Sequence, residues 1–524
     1  ARAYAARIVG RWHDRLDDPL GLLARCVLDE HPQVRMEAVM ACAAIPSPRS
    51  IEVAARVVDL PMDKWIDYAL TQAAHHLVPQ WIPAFQRGEV SFAEPNHLAA
   101  ILNKTGGRDV LKNLKNIVHT TALNPKSRQR TIAAILAVGG PNELREYGLD
   151  RKWFTRAGRY DATSHAEILA RLIWVARNRS VRPAGELGES LNRLIDQDHP
   201  QLKIHALVLA GVWKVNRSQS KVIATAKNTT LPVSVRAAAF QAMAEMKLSS
   251  SRDILVAYAV EPHQPTLRSA AIRSLVTVDT KVAARYAAIL FAASDLQDLD
   301  PAKTLAAFLN RKGAAKALAL ALQSKSIGSK SAEQILRALY STGRSDKILV
   351  GVLNHSIGAS GQVPDYDRDF VRRLLSEAMD RGNVERGAIL FKTAACITCH
   401  RVGDNGGVIG PDLTAIGTTL SGERIIEELL WPNRQVKEGY TVLQVLTYEG
   451  EILQGYERKT KESQQSGDLV MRELAADKLM TIKRQHIELK QSVGSSMPTG
   501  LTALLTQPQM QDLIRYVSDL GKNK

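Results

Sequence analysis

DEHPQVRMEAV, residues 29–39, reads as one helix stopping and another starting. His31-Pro32 breaks the chain, after which Val34, Ala38, Ala41 and Ile45 fall on one helical face. Upstream, Leu20, Leu23 and Val27 form a matching stripe, so the two segments make a helical hairpin. The hairpin recurs. DQDHPQLKIHAL (196–207), LPVSVRAAAF (231–240) and HQPTLRSAAI (263–272) each place an aliphatic residue, a basic residue and, three later, Ala. The aliphatic positions are Val34, Leu202, Val235 and Leu267, the last three spaced 33 and 32 apart. RTIAAIL (130–136) is a weaker copy that lacks the nearby Pro in the same register. Self-similarity at this period predicts stacked helix pairs, because one pair cannot bury its apolar stripe alone and neighbours must supply the other wall. The small Ala lets helices approach closely. The Arg or Lys at the turn is expected to bond exposed carbonyls or an acidic neighbour in the next repeat.

Residues 1–355 are therefore expected to be a helical repeat array. It ends in HSIGASGQVPDYD (355–367), whose Gly, Ser and Pro mark a linker. A helix, FVRRLLSEAMD, follows to Asp380 with Gly382 as its stop, so 356–383 is predicted to be linker and connecting helix. A second domain is expected over 384–524. At 524 residues the chain is long enough for both. No apolar run is long enough to cross a bilayer, the nearest being short stretches such as YAAILFAA from Tyr286. The chain starts ARAYAARIVGRW, without Met and without a signal-peptide pattern, which reads as a mature product or a fragment.

From Gly382 to Lys524, Lys plus Arg and Asp plus Glu are 17 each, so the whole net charge of +16 belongs to the residues before it. A basic face suits nucleic acid, an acidic protein or an anionic surface. No helix-turn-helix, zinc-finger or aromatic-rich RNA-binding pattern accompanies it, and no nucleic-acid partner is expected. Cys26 and Cys42 lie on successive helices of the first hairpin and read as small buried hydrophobes; in an oxidising compartment they could pair. His75 and His76 point about 100° apart on a helix and make a poor metal pair.

The other two cysteines open CITCHRVGDNGGVIGPDL (396–413). A zinc site built on Cys396, Cys399 and His400 would need a fourth ligand, normally from a second close pair, and none exists. A thioredoxin-like CxxC should follow a strand, whereas GNVERGAILFKTAA before it is helical. A c-type haem site fits without remainder: two thiols three apart on a turn each add to one vinyl group, and the next residue, His400, is aimed at the iron. GAILF upstream and the amphipathic PQMQDLIRYVSDL at the end supply the flanking helices.

For the sixth ligand the candidates are Met471, Met480, His486, Met497 and Met510. Met510 lies on the closing helix, and Met471 and Met480 lie in strand-like segments, where packing explains each. Met497, in SVGSSMPTGL, sits in an irregular loop stiffened by Pro498 and is the chosen ligand, with His486 the runner-up. Between them and the haem motif, TVLQVLTY, the turn EG, EILQGYER and the segments around Met471 and Met480 alternate with period two. They predict a small antiparallel sheet inserted at about 440–488, covering the haem edge or docking a partner.

With GAILF, CITCH, GPDL, LLWPNRQVKEGY, the EG hairpin, SSMPTGL and DLIRYV, residues 384–524 resemble the cytochrome c-type haem-binding domain at the C-terminus of large planctomycete and verrucomicrobial proteins. The array resembles the HEAT-like region preceding that domain. The fold implied is mainly α: a HEAT-like α-solenoid, then an all-α cytochrome c domain carrying the β insertion. The resemblance implies that Cys396 and Cys399 form thioethers to one haem c, that His400 and Met497 bind its iron, and that the Pro411 carbonyl orients His400. It implies a periplasmic or similar site outside the cytoplasmic membrane, and a propeller-type dehydrogenase and a downstream carrier as redox partners. The expected function is electron transfer. The alternative is an interaction scaffold in which the haem is a sensor or structural element. No nucleophile elbow, phosphate loop or dinucleotide fingerprint occurs, in keeping with a chain that does no bond chemistry of its own.

Overall fold

A computed structural model describes the chain except for residues 106–109, 120–124, 157, 294–295, 297–298, 345, 359–363, 395, 460, 475–478 and 523–524. The protein is mainly helical. It divides into two compact units, 1–246 with 458–464, and 247–457 with 465–524. The second unit thus joins the last repeats to the C-terminal region.

In the first unit the helix Pro32–Ala44 packs against Arg2–Arg11, and Pro200–Val212 packs against both Gly188–Asp196 and Val233–Glu245. The expected stripe residues Val34, Leu202 and Val235 are buried. The basic residue beside each turns back toward main-chain carbonyls at the turn. Arg35 donates to the carbonyls of Asp29, Glu30 and Pro61 at 2.8, 3.0 and 2.7 Å. Lys203 donates to the Ile195 carbonyl at 2.7 Å, and Arg236 to that of Ala226 at 3.0 Å. The Ile195 and Ala226 carbonyls lie in the last turn of the preceding helix, where the last four carbonyls have no intrahelical partner, whereas those of Asp29 and Glu30 lie in the turn before Pro32–Ala44 and that of Pro61 in the turn before Lys64–Arg87. Cys26 and Cys42 are both free thiols, and burial pushes Cys42 up to about 12. His75 and His76 are exposed on the helix Lys64–Arg87.

In the second unit Ser251–Tyr258 packs on Pro265–Val278, Thr280–Ala292 on Ala314–Lys325, and Ser329–Ser341 on Lys347–Ile357. Leu267 is buried, and Arg268 donates to the Ala259 carbonyl at 3.3 Å. The last of these helices runs into the predicted linker, of which 359–363 lie outside the described residues.

After it come α1 (Arg368–Arg381), α2 (Val384–Thr393), the single turn α3 (Cys396–Cys399), α4 (Gly422–Leu430), the strands β1 (Thr441–Thr447), β2 (Ile452–Glu457), β3 (Leu469–Glu473), β4 (Leu479–Ile482) and β5 (Ile487–Ser495), and α5 (Gln507–Asp519). Helix α1 buries Val371, Leu374 and Ala378 against Ile426 and Leu430 of α4 and Ile514 of α5. Gly382 ends α1 but not through a left-handed turn, since its φ is −68°. A Cβ there would lie 2.6 Å from the Gln511 carbonyl oxygen, so the glycine is needed for the close approach of α5.

The sheet has the order β4-β3-β2-β1-β5, antiparallel throughout. The sequence pattern anticipates four of these strands. It misses β5, which extends the insertion to Ser495, because most of its residues are exposed and show no buried alternation.

Candidate haem site

Helices α2 and α5 cross in backbone contact: a Cβ on Gly387 would lie 2.1 Å from the Asp512 carbonyl oxygen. The Asp512 side chain locks the crossing by accepting from the Asn383 amide at 2.7 Å and from Arg386 Nε and Nη2 at 2.7 and 2.8 Å. The Arg386 guanidinium holds its carboxyl below the usual range. This crossing sets α3 in place directly after α2.

On α3 the two thiols meet different surroundings. Cys396 packs with Phe391, Ile425, Leu513 and Val517 of the helical core, whereas Cys399 packs against Ile409, Val442 and Tyr456, the last two from the sheet. Both are free, and burial pushes each up to about 11. A disulfide-exchanging CxxC has the opposite shift, because its thiolate must be stabilised. Among the described residues no three His, Cys, Asp or Glu side chains gather as a metal cluster.

His400 continues the turn, its amide donating to the Cys396 carbonyl at 3.0 Å. Its Nδ1 lies 2.9 Å from the Pro411 carbonyl oxygen. A carbonyl only accepts, so Nδ1 carries the hydrogen and Nε2 keeps its lone pair, the state a metal-ligating histidine requires. Burial pulls the ring's pKa below its ordinary value, which favours that neutral state. The loop that delivers Pro411 folds back over α3, with the Gly407 and Gly410 amides donating to the carbonyls of Ile397 and Cys399 at 2.9 and 2.8 Å. Arg472 of β3 holds it from outside through the Val408 carbonyl at 2.9 Å. A Cβ on Gly410 would lie 2.5 Å from the imidazole, so only glycine lets the loop lie flat on His400.

Residues 384–447 match the sequence model of the cytochrome c family. This part of the chain is a cytochrome c domain. The match begins at the first residue of α2 and ends at the last of β1. Such a domain implies covalently bound haem c, and the residues present fit it: adjacent unpaired thiols on one turn, a neutral imidazole, and a glycine cradle around that ring. Among solved structures, the chain is similar to an engineered protein at 12% identity and TM-score 0.28, covering 68% of this chain and 94% of that one. It is also similar to Kap121p, at 11% and 0.28, covering 68% and 47%, and to a mutant of Kap121p at 11% and 0.30, covering 82% and 50%. The chain spans about half the length of Kap121p. No curated protein sequence matches it.

The C-terminal region keeps the sixth-ligand candidates apart. Met471 is fully buried in the sheet core, and Met480 is its cross-strand partner. Met510 packs on the cluster of α1 and α4. His486 and Met497 lie beyond opposite ends of β5, and a nine-residue strand spans about 30 Å. The Met497 end pairs with Thr441 and Val442, and Val442 belongs to the cluster that carries Cys399. The His486 end pairs with Thr447, away from it. Sequence reasoning overlooked Asn433, Tyr456 and Arg472, which contact the loops on either side of the site; nothing in their local pattern marks them.

Proposed function

We propose that this chain carries one c-type haem, bonded through Cys396 and Cys399 and held between His400 and Met497, and that it transfers electrons for a partner dehydrogenase outside the cytoplasmic membrane. The observation that carries the reading is the His400–Pro411 hydrogen bond immediately after the paired thiols. The placement of Met497 at the Cys399 end of the sheet supports it as the second ligand over His486. When bound, a haem with histidine and thioether ligands supplies a one-electron couple of raised potential.

The protein's own residues bind and orient. Pro411 fixes the imidazole tautomer, Gly410 admits it, and the cores around Cys396 and Cys399 exclude water. The helical repeats serve as the scaffold. The loop before the helix Ala314–Lys325 docks the sheet: the Lys312 amide donates to the Gly450 carbonyl at 3.0 Å and the Ile452 amide to the Asn310 carbonyl at 2.8 Å. A reduced-minus-oxidised visible spectrum, with the intact mass of protein from a host able to attach haem, tests the cofactor and its number. A colourless protein at the bare polypeptide mass would end the reading. Reduction by a candidate dehydrogenase, with and without the repeats, tests the partner.

A further inference from the structure

The loop that bears Met497 is held by side chains that do not belong to it. Asn433 lies in the turn after α4. Its Oδ1 accepts from the Ser495 amide at 2.8 Å, and its Nδ2 donates to Thr499 Oγ1 at 3.4 Å. These contacts fall two residues before and two residues after Met497. The close approach is built in: Gly494 has φ +88°, and a Cβ there would lie 2.2 Å from Asn433 Oδ1.

The second hold comes from the sheet. Tyr456 of β2 is buried, and its hydroxyl lies 2.8 Å from Ser496 Oγ, directly before Met497. Its ring sits in the cluster against which Cys399 packs, with the Arg472 guanidinium 5.1 Å from the ring centre. One side chain therefore bonds the Met497 loop and belongs to the cluster on which Cys399 of the haem-attachment motif packs.

We propose that Asn433 and Tyr456 are positioning residues for Met497, fixing where its thioether stands relative to the iron. This rests on Met497 being the iron ligand. A thioether is a weak ligand and competes with added ligands only while its loop is held in place, since ordering a loop costs conformational entropy. With the loop loosened, that cost falls on the iron–sulfur contact. The inserted sheet then acts as a support for the second ligand, and the strength of that ligation is set by residues outside the loop.

The test uses the haem-loaded full chain and added imidazole as the probe. Asn433→Ala should bind imidazole about 10-fold more tightly than wild type, a change of about 1.4 kcal/mol. It should also weaken the ferric absorption band that reports thioether ligation, with the haem mass unchanged. Thr499→Val removes only the Asn433 Nδ2–Thr499 Oγ1 hydrogen bond, from the exposed end, and should give a smaller shift in the same direction. Tyr456→Phe keeps the ring and should act similarly. Imidazole affinity within twofold of wild type in all three, while Met497→Ala raises it strongly, would overturn the positioning role and leave the ligand intact. No effect of Met497→Ala would overturn both.

Discussion

His400 and Pro411 are joined by one 2.9 Å hydrogen bond from the ring Nδ1 to the main-chain carbonyl. Eleven residues of glycine-rich chain return to make it, and Gly410, next to the accepting proline, lies against the ring with no room for a Cβ. Gly410→Ala would put a methyl 2.5 Å from Cε1. Either the loop or the imidazole must move, at a cost of about 1–3 kcal/mol. The expected result is a lower melting temperature together with a smaller fraction of chains carrying haem by intact mass; an unchanged value for both would show that the loop yields without disturbing His400.

Arg35 illustrates how each hairpin closes. Its side chain is buried and serves three main-chain carbonyls outside its own helix, those of Asp29 and Glu30 before it and that of Pro61 after it. Arg35→Ala leaves those carbonyls short of donors and is expected to destabilise the protein by about 2–4 kcal/mol. Arg35→Lys keeps the charge but replaces a planar fork with a point donor, and should lose about half as much. Urea unfolding of the two variants, compared at equal slope, measures both.

The repeat signal was legible because the same physical task recurs at one register. A buried aliphatic residue, a cation for orphan carbonyls and a small residue for close packing leave a pattern that needs no knowledge of neighbours. The haem motif was legible for a similar reason, since Cys396, Cys399 and His400 act within one turn. Strand β5 was not, because it is an edge strand held by β1 through main-chain bonds, with side chains in solvent. Asn433 was hidden for a related reason: its partners, Ser495 and Thr499, lie more than 60 residues away and meet it only when β5 returns beside β1. Gly382 suggested a helix stop, but its role is a close approach to α5 that no local pattern encodes.

The repeats should be acid-sensitive through His165. Burial pulls its pKa down to about 4, while Nε2 donates to the Gly148 carbonyl at 3.0 Å and Nδ1 accepts from the Tyr160 hydroxyl at 2.7 Å. The ring also stacks on Phe154. The folded pKa lies below the ordinary value near 6.5, so the unfolded chain takes up the proton first. Stability is complete above about pH 6.5 and falls as the pH drops toward 4, by about 3 kcal/mol in all. Melting temperatures at pH 7, 5.5 and 4 should follow that slope. His165→Gln should be less stable at pH 7 yet lose less on acidification; a parallel slope in the variant would assign the acid response elsewhere.

The two ends of the inserted sheet have separate tasks, and this separation can be measured. At one end, the turn between β1 and β2 rests on the repeat loop, where Arg311 Nη1 donates to the Glu449 carbonyl at 2.6 Å and Gly450 has φ +81°. At the other, β5 leads into Ser495 and the Met497 loop. A β-branched residue in the left-handed region costs about 1–2 kcal/mol, so Gly450→Val should strain the turn and weaken its hold on Asn310 and Lys312. Limited proteolysis at the turn should quicken and the melting temperature should fall. The reduction potential should stay at the wild-type value, because the strained turn lies at the far end of β1 from Val442, the strand's contact with the Cys399 cluster. A shift in potential would mean that the sheet transmits strain along its length and that the repeats, through this turn, tune the haem.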